Sequence, residues 1–257
     1  PAPPGGPAGP ESAAVPGPPG RDVPAVPDVR VVTYNLHGLR DDGAALERVI
    51  AAARADVICV QEVPRLPHRR LRWRRLIARH GLRTAGGRAR RGVAVLAGPR
   101  ARVLHAESHV LKVFAGLEAR ALAVAVVEVE GARLAVGSFH LDLHEAARTC
   151  HAAEALELTE AVAARHDAEV VLGGDLNEHP CRPAWRLLAA RLADCHAAAP
   201  RGDGLTFPAA KPRHRIDALF AARGLRVVSC GGVEAASPDL TGASDHLPVL
   251  AELRVFP

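Results

Sequence analysis

Two short segments carry the chemistry most clearly: Gly173-Gly174-Asp175-Leu176-Asn177 and, some seventy residues later, Ser244-Asp245-His246. Each borders an apolar run, which puts polar side chains at the end of a strand. Asp175 and Asn177 are two apart, so on an extended chain they point to the same side. Acids, an amide and an imidazole gathered in this way suit hydrolysis of a phosphate ester at a divalent cation. Asp175 is placed to take a proton from an attacking water, and Asn177 to orient that water or a phosphate oxygen; the pair satisfies the reach a general base needs. His246 would donate to a non-bridging phosphate oxygen as charge develops.

Three further segments also put polar side chains at strand ends: Thr33-Tyr34-Asn35, Gln61-Glu62 and Ser138-Phe139-His140. Arg215-Ile216-Asp217 opens a strand instead. Glu62 ends a buried strand as a lone carboxylate, a hard oxygen donor of the kind Mg²⁺ takes one or two at a time. Tyr34, by alternation, faces away from Asn35 and reads as packing.

The elements that must position these groups follow from hydrophobic periodicity. Strands are expected at 29–35, 56–62, 92–96, 101–104, 110–114, 120–130, 133–141, 169–175, 215–221, 225–231 and 248–255. Helices are expected at 44–54, 71–80, 145–166 and 183–192. Val57 to Val60 is a continuous apolar run, as in a strand covered on both faces. Glu130-Gly131 marks a tight hairpin turn. Hairpins mixed with helices imply an α+β sandwich, with two sheets face to face and helices outside. Residues 1–28, rich in Pro, Gly and Ala, read as a flexible arm ahead of one domain over 29–257.

In order and spacing these motifs resemble the endonuclease/exonuclease/phosphatase superfamily, the deoxyribonuclease I-like fold, from about Arg30 to Val255. The resemblance implies a four-layer α/β sandwich of two mixed sheets with the site where their loops converge. It implies Glu62 as the principal metal ligand, with Asn35 beside it and Asp245 assisting, and Mg²⁺ (or Mn²⁺) as the cofactor. It implies that Asp217, not the adjacent Asp245, orients His246, and that His140 is a second catalytic histidine. It implies that Arg120 and Asn35 meet the phosphate or hold the site in shape. A histidine at 140 leans away from abasic-site repair enzymes, which carry tyrosine there.

Composition bounds the partners. Of 257 residues, 48% are hydrophobic and 3% aromatic, so the core is built from Ala, Val and Leu. A net charge of +5 favours anionic partners. Nucleic acid is the first expectation, a lipid headgroup phosphodiester the second and an inositol phosphate the third; a catalytically silent binding module of the same fold is the alternative class. Residues 65–91 hold eleven arginines and no acid. They fit either a rail for a phosphate backbone or a solvated helix face. His37 and His144 are candidates to border the cleft. No apolar run approaches the ~20 residues of a membrane span. The missing Met and the Pro-rich arm favour a secreted or surface location over the cytoplasm, and a monomer is the default. Five cysteines form no CxxC pair; Cys181 and Cys195 flank a short helix and would be stapled if the chain is exported.

Overall fold

A computed structural model describes residues 28–88 and 92–256; positions 1–27 of the expected arm lie outside these, and Asp28, its last, instead opens the first strand. In chain order the elements are β1 (Asp28–Asn35), α1 (Gly43–Ala53), β2 (Val57–Gln61), α2 (Pro67–Arg79), β3 (Arg83–Arg88), β4 (Val93–Ala97), β5 (Arg102–Val110), β6 (Ala121–Val129) and β7 (Ala132–His140). They continue with α3 (Glu145–His166), β8 (Glu169–Asp175), α4 (Pro183–Arg191), β9 (Ala193–Asp194), α5 (Cys195–Ala198), β10 (Pro200–Arg201), β11 (Asp217–Ala221), β12 (Arg226–Gly232), α6 (Ser237–Ala243) and β13 (Val249–Arg254). A short turn of 3-10 helix covers His37–Leu39.

The strands form two mixed sheets, one in the order β10-β12-β13-β1-β2-β4-β3 and the other β5-β6-β7-β8-β11-β9. Within them β1 runs parallel to β2 and β7 parallel to β8. The space between the sheets is filled by small branched side chains such as Val31, Val57, Cys59, Val136, Val171 and Leu219. Outside the first sheet, Leu46 and Ile50 of α1 and Trp73 and Leu76 of α2 close over Val32, Tyr34 and Val60. Outside the second, Leu156 of α3 and Trp185 and Leu188 of α4 close over Phe139, Leu172 and Phe220. Helix, sheet, sheet, helix is the four-layer sandwich.

This layering explains where the polar strand ends go. On β1 the inward series is Val29, Val31, Thr33, Asn35; on β7 it is Leu134, Val136, Ser138, His140; on β8 it is Val171, Gly173, Asp175. A side chain every second residue faces the other sheet. Each series therefore runs from the apolar centre to a polar group at the same rim. The register brings these groups level: Asn35 opposite Gln61, His140 opposite Asp175, and Asp175 opposite Asp217. The sheets approach closely just below them. A methyl group on Gly173 would lie 2.7 Å from Leu219 Cδ2 and 3.0 Å from Cys59 Sγ, so any side chain there would have to displace Leu219.

Some elements differ from expectation. Two short strands at 101–104 and 110–114 are instead one, β5, followed by a loop to Arg120. β5 is an edge strand with a bulge between Val103 and His105, which shifts the phase of its alternation, and none of its side chains is fully buried. β3 was not expected. It is the edge of the other sheet, on the same flank as β5, contains Thr84, Gly86 and Gly87, and is bulged as well. The helix α6 was also missed, though Pro238 stands in its first turn as helix starts favour. All five cysteines are free; Cys195 is buried while Cys181 is exposed, so the staple does not form.

Candidate active site

At the rim of the sandwich the strand ends and the loops after them enclose a cleft of about 500 Å³. Its lining includes Glu62, Arg120, His140, Asp175, Asn177, Asp245 and His246. Residues scattered over more than two hundred positions thus meet in one place.

Asp175 is the centre. It is buried, and its Oδ1 accepts the Asn177 N–H at 2.8 Å. Its Oδ2 accepts the Asn35 side-chain amide at 3.1 Å. The same oxygen lies 3.5 Å from His140 Nε2 and 3.7 Å from His246 Nε2. Those two separations exceed a hydrogen bond. The carboxylate therefore sits beside two imidazole nitrogens without hydrogen-bonding either, and both rings remain open toward the cleft.

His246 donates or accepts through Nδ1 to Asp217 Oδ2 at 2.8 Å, inside the protein. Burial alone would lower the pKa of His246, but the Asp217 carboxylate, its hydrogen bond, and then Asp175 and Asp245 outweigh it, and the value is raised to about 9. Asp217 is pushed up to about 6, by burial first, with His246 pulling the other way. The acid still ionises well below the imidazolium, so near neutrality the pair is carboxylate and imidazolium, with Nε2–H aimed at the cleft. His140 differs: burial lowers its pKa, opposed by Asp175, with Arg120 adding to the lowering. Two histidines beside one acid are thus biased to opposite charge states, the pattern that separates a proton donor from a neutral partner.

Glu62 follows directly on β2 with a left-handed backbone, φ 53°, which turns its carboxylate into the cleft. Asn35 donates its Nδ2 to Glu62 Oε1 at 3.3 Å and accepts the His37 N–H on Oδ1 at 3.1 Å. As placed it bridges the two acids, and a half-turn of the amide would bring its oxygen round to them. Asn177 commits its Nδ2 to the Leu141 carbonyl at 3.0 Å, which ties the ends of β7 and β8 together. Asp245 sits at the rim, half-exposed, 3.7 Å from His37 Nδ1. Arg120 is held between Glu118 and Asp142, each at 3.6 Å, and its Nε is buried without a hydrogen-bond partner. His37 pairs with Asp41 at 2.8 Å. Neither it nor His144 is among the lining residues; their neighbours Gly38, Arg40 and Leu143 are.

Several supporting residues were not anticipated. Beneath the site Gln61 donates to Thr33 Oγ1 at 3.2 Å and to Ser138 Oγ at 3.3 Å, and Ser138 donates to the Val60 carbonyl. All three side chains are buried; they brace the two sheets one step below Asn35 and His140. Ser244 donates to the Asn35 carbonyl at 2.7 Å, fixing the loop that carries Asp245 and His246. Arg148 of α3, also buried, pairs with Glu178 at 2.8 Å and donates to the carbonyls of Asp142, Leu143 and Asn177, each at 3.1 Å. It clamps the loops after β7 and β8. A signal for it existed: it lies on the buried face of α3 with Ala147, His151, Ala152 and Ala155. Phe207, whose ring is 4.8 Å from that of His246, carried no such signal.

The endonuclease/exonuclease/phosphatase family model matches residues 32–246. No curated protein matches the chain. Among solved structures, an endonuclease/exonuclease/phosphatase from Bacteroides vulgatus superposes with a TM-score of 0.75 at 19% identity, covering 90% of this chain and 100% of that one. A mannosyl-6-phosphatase from Bacteroides thetaiotaomicron gives 0.72 at 18% identity, covering 89% and 100%. The human nocturnin catalytic domain with bound sulfate gives 0.70 at 17%, covering 89% and 95%. At such identities the likeness is one of fold.

Proposed function

The chain belongs to the endonuclease/exonuclease/phosphatase family, and from that premise we propose that it is a divalent-metal-dependent phosphoesterase acting on nucleic acid by in-line attack of water on phosphorus. The observation that carries the reading is the meeting of Asp175 with His140 and His246 on the wall of a cleft that also holds Glu62 and Asp245.

The donor set fits a hard cation. Glu62 and Asp245 offer carboxylate oxygens, the ligands Mg²⁺ and Mn²⁺ prefer. Asp175, Asp217 and His246 also lie close enough together to surround an ion. An imidazolium hydrogen-bonded to a carboxylate has no lone pair to give, however, so those three suit proton handling better. Glu62, with Asp245 and Asn35, would hold the cation. When bound, it would polarise the phosphoryl oxygens and take up charge on the leaving group.

The remaining work falls to the chain. Asp175, fixed by Asn177 and Asn35, accepts a proton from the attacking water. His246, kept protonated by Asp217, donates to a non-bridging oxygen as negative charge grows there. His140 and Arg120 meet the phosphate from the side of β7 and β6. The expected outcome is that EDTA abolishes hydrolysis of plasmid DNA and of bis(4-nitrophenyl) phosphate and that Mg²⁺ or Mn²⁺ restores it. Turnover undiminished in EDTA, or none on any phosphate ester, rejects the proposal. A second reading has its own observation: Leu66 and Leu143 line the cleft and are 50% and 74% exposed, which suits an amphiphilic phosphodiester. Sphingomyelin vesicles in the same assay test it.

A further inference from the structure

The cleft has more cationic wall than one reacting phosphate requires. Besides Arg120, it is lined by Arg40, Arg65 and Arg69. Arg65 is paired with Glu118 at 2.7 Å. Arg40 and Arg69 are not paired with an acid among the described residues; the recorded contact of Arg69 is a long one, Nη1 to the Gly38 carbonyl at 3.4 Å.

These two guanidinium groups converge. Gly38 has φ 62°, and a methyl group built on it would lie 3.7 Å from Arg40 Nε and 3.8 Å from Arg69 Nη1. The glycine has no side chain to separate them, and two nitrogens each within 3.8 Å of that point are no more than about 7.5 Å apart, a span that one phosphate group can bridge. Like charges brought together with no acid between them repel, and an anion between them turns that repulsion into two charge-assisted hydrogen bonds. Planar donors of this kind match phosphate oxygens.

The charge continues outward. Leu39, the next residue of the same turn, borders an adjoining depression lined by Arg72, Arg75 and Arg79 against two acids, Asp42 and Glu47, so the arginines outnumber the carboxylates there by one. With Arg69 these arginines follow a 3, 3, 4 spacing on α2, so they share one side of the helix. From 69 to 79 the stripe is about 15 Å long at ~1.5 Å per residue, or about four steps of a nucleic-acid strand at ~3.4 Å. Arg79 is spent on Glu47 at 2.9 Å; Arg72 and Arg75 are exposed. Trp73, the one aromatic of the stripe, is buried under the helix, so this face has cations and no base-stacking surface.

We infer that Arg40 and Arg69 form a second phosphate subsite over Gly38, and that the substrate is a polynucleotide whose neighbouring phosphate seats there while its strand follows α2 through Arg72 and Arg75. The inference rests on the phosphoesterase reading above and narrows it. A substrate with one phosphate leaves the subsite without a partner; a strand fills it at every register. Because the contacts are to phosphate alone, α2 contributes affinity without base preference.

The test compares a single-stranded 20-mer oligonucleotide with bis(4-nitrophenyl) phosphate, which carries one phosphate. In the Arg40→Gln/Arg69→Gln variant, kcat/KM on the oligonucleotide should fall at least about ten-fold more than on the small ester, chiefly through KM, as for lost backbone contacts. Binding of the oligonucleotide in EDTA should lose about 1.4 from its log–log salt slope, ~0.7 for each contact removed. The Arg72→Gln/Arg75→Gln variant should lower oligonucleotide binding independently. Equal losses on both substrates, an unchanged salt slope, or a wild-type protein that turns over the small ester but neither binds nor cuts the strand would overturn the inference and leave the phosphoesterase reading standing. Arginine-dependent binding to phosphatidylserine vesicles in place of the oligonucleotide would also overturn it. If the wild type hydrolyses neither substrate, the phosphoesterase reading fails, and binding in EDTA still decides the subsite.

Discussion

On β5, Glu107 stands between His105 and His109, accepting or sharing hydrogen bonds with their Nε2 atoms at 2.8 and 2.9 Å, and Arg165 of α3 joins it. At the rim, Asp175 stands between His140 and His246. Both clusters put one carboxylate between two imidazoles. They differ in surroundings. The β5 cluster lies on an edge strand, its side chains a quarter to a third exposed, and Arg165 supplies a permanent cation; the pKa of Glu107 is lowered, through His105 first, and nothing is left for a further ligand to do. At the rim the carboxylate is buried, the imidazoles stand off at 3.5 and 3.7 Å, and a second acid, Asp217, holds one ring from behind. A satisfied cluster is a piece of surface electrostatics. A buried one whose two imidazole Nε2 atoms are not hydrogen-bonded to the acid keeps polar groups available at a cleft, and residue composition alone does not distinguish the two.

The sharpest way to break this contrast is to remove the equivalent group from each side. Asp175→Ala and His246→Ala should each lower hydrolysis by about 10²-fold or more, as expected for loss of a base or of oxyanion-type stabilisation. Circular dichroism should show both variants folded. Near-full turnover in either would mean that the cluster at the rim is not where chemistry happens.

A smaller effect is expected from Asp217→Asn, which keeps shape and removes the charge behind His246. Loss of about ten-fold or more at neutral pH is expected if the aspartate acts by holding the imidazolium. The sign of the pH effect follows from the raised pKa of His246. In the wild type the proton stays on through neutral pH and leaves near pH 9, so the alkaline limb of the rate profile lies high. Its contribution to stability is likewise complete below the ordinary histidine value and lost as pH rises through about 9. In Asp217→Asn the alkaline limb should move down toward that ordinary value. A profile that falls in height without moving would assign Asp217 to packing instead.

How much of this could be read from the chain depends on how local each signal is. The strands β1, β2, β7 and β8 announce themselves because each runs from apolar residues to a polar end within five to nine positions. Of the groups expected at those ends, Glu62, His140 and Asp175 line one cleft, with Asn35 hydrogen-bonded behind Glu62 and Asp175. The edges β3 and β5 were blurred because each carries a bulge, which shifts the phase of the alternation that marks a strand. Gln61 and Ser244 lie inside the polar strand-end segments but were given no role, because their work is done on a carbonyl and hydroxyls of segments distant in sequence. For Arg148 the spacing on α3 marks burial but does not name its partners. The convergence of Arg40 and Arg69 over Gly38 belongs to the same kind: the run at 65–91 was visible in the sequence, but that one of its arginines meets Arg40, which lies outside it, is a property of the folded wall.

The smallest effect is expected on the other side of the comparison, and it bears on the lesson most directly. Glu107→Gln removes the charge from the β5 cluster while leaving its shape. Because the folded pKa of Glu107 is lowered below its ordinary 4.5, its contribution to stability is present above that value and lost as pH falls through the folded one. The group is about a quarter exposed, so solvent screening keeps the loss at neutral pH to about 0.5–1 kcal/mol. Urea titrations should show that difference at pH 7, a smaller one in 1 M salt, and none near pH 3. Hydrolysis should stay within about two-fold of wild type, since nothing in the cleft touches Glu107. A variant that unfolds no more easily yet loses turnover as deeply as Asp175→Ala would show that the edge cluster speaks to the site, and burial beside an open cleft would no longer separate the working histidine–acid group from the idle one.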